Sequence, residues 1–367
     1  MADPKARRRR AARRVLLACA GLAATLAAER YLVERAHSRP DPERDEPLAE
    51  RPGRELRVTS FDGTELAVNV VGPERGPTLV FSHGFTLNMT GWHYQWRRFA
   101  RDHRCVLYDH RGHGRSGRAV GGDYSLQALG RDLRAVLDAT APQGPVVIVG
   151  HSMGGMAIMA LAEEFPQEFG TRVSGAVFAD TTAADVIKAM LGSLGARVGA
   201  FIGSRAAALI RRDGYAARVR TRALARHSGL AFLVAEATNF GPKAPPSLID
   251  YVVGVAAEAP PEVWSDLAVS MVEMNLTEAL SRVAVPALVI VGEVDRLTPP
   301  VSARAVADRL PDARLVVIEG AGHCTMLERH DRFNGIVEAF LGEVDAAAPA
   351  VRSAAAAPGP ASLGVAP

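Results

Sequence analysis

Three cysteines, Cys19, Cys105 and Cys324, are all that 367 residues contain. They are too few and too scattered for a disulfide framework or a zinc knuckle. A basic surface is missing as well. The formal charge is +3, yet Lys5 and six arginines against Asp3 give residues 1–14 a net +6, which leaves −3 for the remainder. Basic character confined to one end gives the body no electrostatic footprint for nucleic acid. The N-terminus also lacks a full-length apolar span. After RRRRAARR comes VLLACAGLAATLAA, fourteen uncharged residues from Val15 to Ala28, and then Glu29 and Arg30. A spanning helix wants about twenty.

That stretch has the length of a secretory signal core, and Arg13-Arg14-Val15-Leu16-Leu17 loosely resembles a twin-arginine export signal. No A-x-A cleavage site follows the run, however, which favours an uncleaved, weakly hydrophobic anchor. The arginines would then stay inside and place the body outside the cytoplasm. The expectation is membrane association through residues 7–33, with Tyr31, Leu32 and Val33 extending the apolar stretch and Glu29 and Arg30 snorkelling. The plainer alternatives are an Ala-rich surface helix on a cytoplasmic protein or an exported soluble one.

What is present is a globular chain, 48% apolar and 23% charged, long enough for one large core with an insertion. Residues 1–36 form the basic and apolar N-terminal segment. HSRPDPERDEPLAERPGR, residues 37–54, reads as a solvated linker. Residues 346–367 are low-complexity Ala/Pro sequence and read as a disordered tail. The folded body is expected over 55–345.

That body opens with ELRVTS and TELAVNVV around an Asp-Gly turn, the pattern of an antiparallel hairpin. PTLVFSH, CVLYD, VVIVG, GAVFAD, ALVIVG and RLVVIE follow, short apolar runs that suit parallel strands buried on both faces. Between them lie amphipathic stretches such as YSLQALGRDLRAVLDAT and VSARAVADRL. The alternation predicts an α/β fold with a mostly parallel twisted sheet flanked by helices. Ligands of such sheets bind beyond the carboxyl ends of the strands.

The polar candidates cluster at those ends. VVIVG runs into Gly150-His151-Ser152-Met153-Gly154-Gly155, ALVIVGEV into Asp295, and LVVIEGAG into His323. A serine hydroxyl needs a base to become a nucleophile, and the imidazole needs a carboxylate to fix its tautomer. Ser152, Asp295 and His323, in that chain order, resemble the triad of the α/β-hydrolase family. The shared motifs are HG at 83–84, D-x-R-G-x-G-x-S from Asp109 to Ser116, GHSMGG, G-x-x-D-x-L-x-P from Gly292 to Pro299, and GAGH. The resemblance spans roughly 55–343 and points to the subgroup of monoacylglycerol lipases, esterases and cofactor-free haloperoxidases.

The resemblance implies Ser152 as nucleophile, His323 as base and Asp295 as acid, with the Phe85 and Met153 amides as the oxyanion hole. No metal and no cofactor are implied. Asp180, one strand earlier, is the rival acid. Among the other histidines, His151 reads as a packing residue, His83 as a support of the oxyanion loop, and His110 and His113 as parts of the glycine-rich turn. Residues 181–284 form a helical insertion too long for a connection and read as a cap. Its RRDGYAARVRTRALARH stretch (211–227) is a solvated face or a contact for anionic lipid, and Trp264, Met271 and Met274 are pocket or core. The expected substrate is a carboxylic ester, lipid-like and of monoacylglycerol type. Perhydrolysis by the same triad is one alternative. A non-catalytic binding protein of the same fold is the other, although that reading expects a degraded triad.

Overall fold

The computed structural model describes residues 24–184 and 229–355. Its centre is an eight-stranded sheet in the order β1-β2-β4-β3-β5-β6-β7-β8. The strands are β1 (Arg54–Thr59), β2 (Glu65–Val71), β3 (Thr78–Ser82), β4 (Arg104–Tyr108), β5 (Val146–His151), β6 (Val173–Ala179), β7 (Ala287–Gly292) and β8 (Ala313–Ile318). β1 and β2 form the expected antiparallel hairpin, β2 runs antiparallel to β4, and every pair from β4 to β8 is parallel.

The apolar runs are continuous because both faces are covered. Val146 and Ile148 of β5 belong to one buried cluster with Leu129 and Leu133 of α3 (Leu126–Thr140) and Met156 and Ala160 of α4 (Met153–Glu164). Their neighbours Val147 and Val149 join the opposite cluster with Phe99 of α2 (His93–Phe99) and Phe333 and Phe340 of the last helix (His330–Ala355). Alternate residues thus serve opposite layers. The α3 helix starts where Ser125 Oγ accepts the Ala128 amide at 3.1 Å, an N-cap. Buried Arg111 binds Asp132 of α3 and Asp62 of the hairpin turn, which fastens the glycine-rich turn to both.

Register positions the site. Ser82 lies opposite Gly150, His151 opposite Ala179, and Gly292 opposite Ile318. The carboxyl ends of β3, β5, β6, β7 and β8 therefore finish along one edge of the sheet.

Three helices of the insertion are described: α5 (Gly229–Asn239), α6 (Pro246–Ala256) and α7 (Pro261–Glu273). Residues 185–228, with the basic 211–227 stretch, lie outside the described residues, as do 1–23. Among the described residues no helix is long and apolar enough to cross a membrane. Residues 24–37 form a helix, α1, that docks on the insertion. Glu29 accepts the Leu230 amide, and exposed Arg30 pairs with Glu34 one turn on. Only Leu26, Tyr31 and Leu32 of this helix stand as exposed large apolar side chains.

The expected linker is corrected outright. Leu48 is buried, and Arg51 binds Asp109, Glu46 meets His93, and Asp41 holds Ser247. Charges that read as solvated are spent on partners distant in sequence. At the other end helical backbone continues ten residues past the expected boundary, to Ala355. Of the nine longer helices among the described residues, the last two are α8 (Pro300–Ala307) and α9 (His330–Ala355).

Candidate active site

Ser152 sits between β5 and α4 with φ 50° and ψ −115°, a conformation that costs a non-glycine residue about 1–3 kcal/mol. The glycines around it answer to close packing rather than to flexibility. A Cβ on Gly150 would meet the Gly154 carbonyl oxygen at 2.6 Å, and one on Gly154 would lie 2.0 Å from that of Ser82. The Ser152 amide donates to Ala179 O at 2.8 Å, and Thr181 Oγ1 donates to the Ser152 carbonyl at 2.7 Å. The turn is strained and held from both ends, and Ser152 faces the cavity described below.

His323 follows β8, and its Nδ1 lies 2.9 Å from Asp295 Oδ2 in the loop after β7. Asp295 is held in turn. Its Oδ1 accepts the Leu297 and Thr298 amides at 2.8 and 3.0 Å, and Thr298 Oγ1 donates to Oδ2 at 2.8 Å. Burial would raise the Asp295 carboxyl, but His323 and these donors win and leave it below the ordinary carboxylate range. Burial likewise pulls the His323 imidazole down, yet the carboxylates, Asp295 foremost, lift it above its usual value. The pair is an imidazole poised to accept a proton next to an ionised acid.

Asp180 has other partners. Its Oδ1 accepts the Gly292 amide at 3.0 Å, and its Oδ2 accepts from Thr325. Burial, then the nearby charge of Asp295, drives its carboxyl well above the usual range. It ties the end of β6 to the loops carrying Asp295 and His323, and makes no hydrogen bond to the imidazole.

His151 and His83 make their hydrogen bonds to backbone groups. His151 Nε2 donates to the His323 carbonyl at 2.8 Å, and burial lowers its pKa to about 3. The His151 ring is packed so tightly on Gly84 that a Cβ there would lie 2.4 Å from Nδ1. His83 Nε2 accepts the His110 amide, which leaves its Nδ1–H to donate to Gly84 O at 2.8 Å beside Phe85. Asp109 accepts the amides of Met89 and Arg115. The amides of Phe85 and Met153 have no backbone acceptor among the described residues, and Met153 opens α4. A helix N-terminus favours negative charge.

Ser152 and His323 line one cavity of about 520 Å³. Its walls are otherwise nearly all apolar: Phe85 and Leu87 from the loop after β3, and Val234, Val252, Trp264 and Met271 from the inserted helices. Met274 packs on the core instead. Cys324 is buried against the cavity. Among the described residues no cluster of His, Cys, Asp or Glu is arranged to hold a metal ion.

Two supports escaped the sequence reading. Thr298 was visible only as part of a loop motif. Glu328 belongs to none of the motifs, yet it is buried and accepts the amides of Gly241 and Gly322, next to His323. Burial raises its carboxyl to about 7.

Comparison with known proteins agrees with this fold. Residues 77–330 match the profile of a family described by the alpha/beta hydrolase fold. 3-Oxoadipate enol-lactonase 2 of Acinetobacter baylyi is 27% identical over 266 residues, 72% of this chain and 88% of the relative. The bifunctional esterase/perhydrolase DCH of Acinetobacter calcoaceticus is 25% identical over 286 residues, 77% of this chain and 98% of that protein. Among solved structures, a thermophilic esterase from Thermogutta terrifontis superposes with a TM-score of 0.62 at 25% identity, covering 80% of this chain and 99% of its own.

Proposed function

The chain belongs to the alpha/beta hydrolase fold family, and on that premise we propose that it hydrolyses carboxylic esters with an apolar acyl group through an acyl-enzyme on Ser152. One observation carries the reading. A serine on a strained strand-to-helix turn shares an apolar cavity with a histidine whose other ring nitrogen is bound to a buried carboxylate. With the Nδ1 proton held by Asp295, His323 Nε2 is the free base. It takes the Ser152 proton as Oγ attacks the ester carbonyl, then returns that proton to the leaving alcohol. Water, activated by the same nitrogen, attacks the acyl-enzyme and releases the acid. The Phe85 and Met153 amides supply the donors for the oxyanion, a term of about 2.7–4 kcal/mol per donor in serine hydrolases.

The cavity walls support an acyl chain of several carbons, as in a monoacylglycerol-type ester. A second reading, perhydrolysis, draws on the likeness to the esterase/perhydrolase: hydrogen peroxide would replace water in the second step and release a peracid. The test is kcat/KM for p-nitrophenyl esters from acetate to laurate, with and without peroxide. A rise from acetate to a medium-length chain is expected. A flat or falling series would set aside the apolar-acyl reading, and peracid formation outpacing hydrolysis would favour the second.

A further inference from the structure

The N-terminal segment joins the inserted helices to the sheet domain. On the cap side, Arg39 forms an ion pair of 2.6 Å with Glu236 of α5, and the His37 ring lies 4.8 Å from that of Phe232. His37 Nε2 meets Asp250 of α6 at 2.9 Å, and Asp41 accepts both the amide and the hydroxyl of Ser247 at the start of α6. On the core side, Glu43 accepts from Tyr94 and meets His330, Glu46 meets His93, and Arg51 pairs with Asp109 at 2.9 Å.

The attachment points have a consistent geometry. Phe232 and Glu236, four residues apart, share the face of α5 turned to the strap, whereas Ala231, Val234, Ala235 and Thr238 line the cavity. In α6, Ser247 and Asp250 take the strap while Val252, Val253 and Ala256 line the cavity. The Tyr251 hydroxyl lies 2.7 Å from Thr90 Oγ1, a side tie between α6 and the β3–α2 loop.

We propose that residues 37–51 are a specificity-determining brace: they hold α5 and α6 against the core from outside and thereby set the width of the acyl cavity. The brace precedes the stretch 77–330 that carries the family profile, so it adds a control over substrate length to a shared catalytic framework. The reaction at Ser152 is untouched by it. The inference rests on the ester-hydrolase reading for its substrate, but the mechanical part stands apart from it.

The experiment is a charge exchange in the full chain. Arg39→Glu and Glu236→Arg singly break the ion pair, and the double variant restores it in reverse. Each single variant is expected to raise KM for p-nitrophenyl octanoate about tenfold, within the range that coupled contacts carry. Acetate hydrolysis should change less than about twofold, since the short acyl group reaches little of α5 and α6. Hydrogen exchange of 229–256 should quicken in both single variants and return toward wild type in the double. Unchanged exchange and unchanged octanoate KM would overturn the proposal. So would equal losses on acetate and octanoate, or a double variant no better than either single. If the wild type cleaves no ester, the functional reading fails, and the exchange data still decide whether the brace holds the helices.

Discussion

Asparagine in place of Asp295 keeps the size of the side chain and removes the charge facing His323. Asp295 Oδ2 now holds the Nδ1 proton at 2.9 Å, which leaves Nε2 unprotonated. An asparagine that keeps its oxygen on the Leu297 and Thr298 amides must turn its NH2 toward Nδ1. The imidazole would then carry its proton on Nε2, the wrong tautomer for a base. The opposite flip aims two buried amides at an NH2, and unmet buried donors cost about 1–3 kcal/mol each. Loss of the correct tautomer lowers turnover in serine triads on the order of 10⁴-fold, or about 5.5 kcal/mol in barrier. The pH profile gives a second handle. The neutral imidazole is the active form, so activity is lost as pH falls through the His323 pKa, which Asp295 lifts above the ordinary imidazole range in the wild type. Without Asp295, burial is opposed only by the more remote Asp180, and the acid limb should move to lower pH. The assay is kcat/KM for p-nitrophenyl butyrate across the pH range, with folding checked by circular dichroism. Asp180→Asn is the control. That carboxyl is already pushed toward its neutral form, and an asparagine can keep its oxygen on the Gly292 amide while its NH2 donates to the Thr325 hydroxyl, giving up only the longer 3.3 Å contact from the Thr325 amide. A loss below about tenfold is expected for it. A folded Asp295→Asn enzyme within tenfold of wild type, or a larger loss in Asp180→Asn, would refute the assignment of the acid.

Gly154→Ala should destabilise the fold by about 3 kcal/mol or more, because the new methyl meets the Ser82 carbonyl at 2.0 Å with backbone on both sides. Urea midpoints measure this, and a wild-type midpoint would show that the turn has room to relax. We also propose membrane association through the N-terminal residues, supported by the charge pattern and the apolar run of residues 7–28. Full-length protein should then sediment with membranes after a high-salt wash, and recovery in the soluble fraction would remove that proposal.

The sheet was legible because strands buried on two faces have a plain signature, and Ser152, Asp295 and His323 because each closes such a strand inside a glycine-containing motif. The 37–54 segment was misread for a physical reason. Its charges, read locally, describe a solvated chain, while their partners stand far away: His37 and Asp250 are 213 positions apart. No periodicity records such a pairing. Glu328 hid similarly. Its neighbours Met326 and Leu327 are buried with it, and an acidic residue in that company five residues past the GAGH loop was the one available signal. Asp180, closing the strand before, was the rival acid; Asp295 has in its favour the loop motif from Gly292 to Pro299 and the hydrogen bond with His323 Nδ1.

The central claim is that Ser152 is the nucleophile, and covalent labelling tests it most directly. Full-length protein treated with a fluorophosphonate should gain one adduct by intact mass, and peptide mapping should place it on Ser152. Prior acylation by a slowly turned-over ester should block labelling, and Ser152→Ala should stay unlabelled while folding normally. An adduct on another residue, or undiminished labelling of the Ser152→Ala protein, would contradict the account.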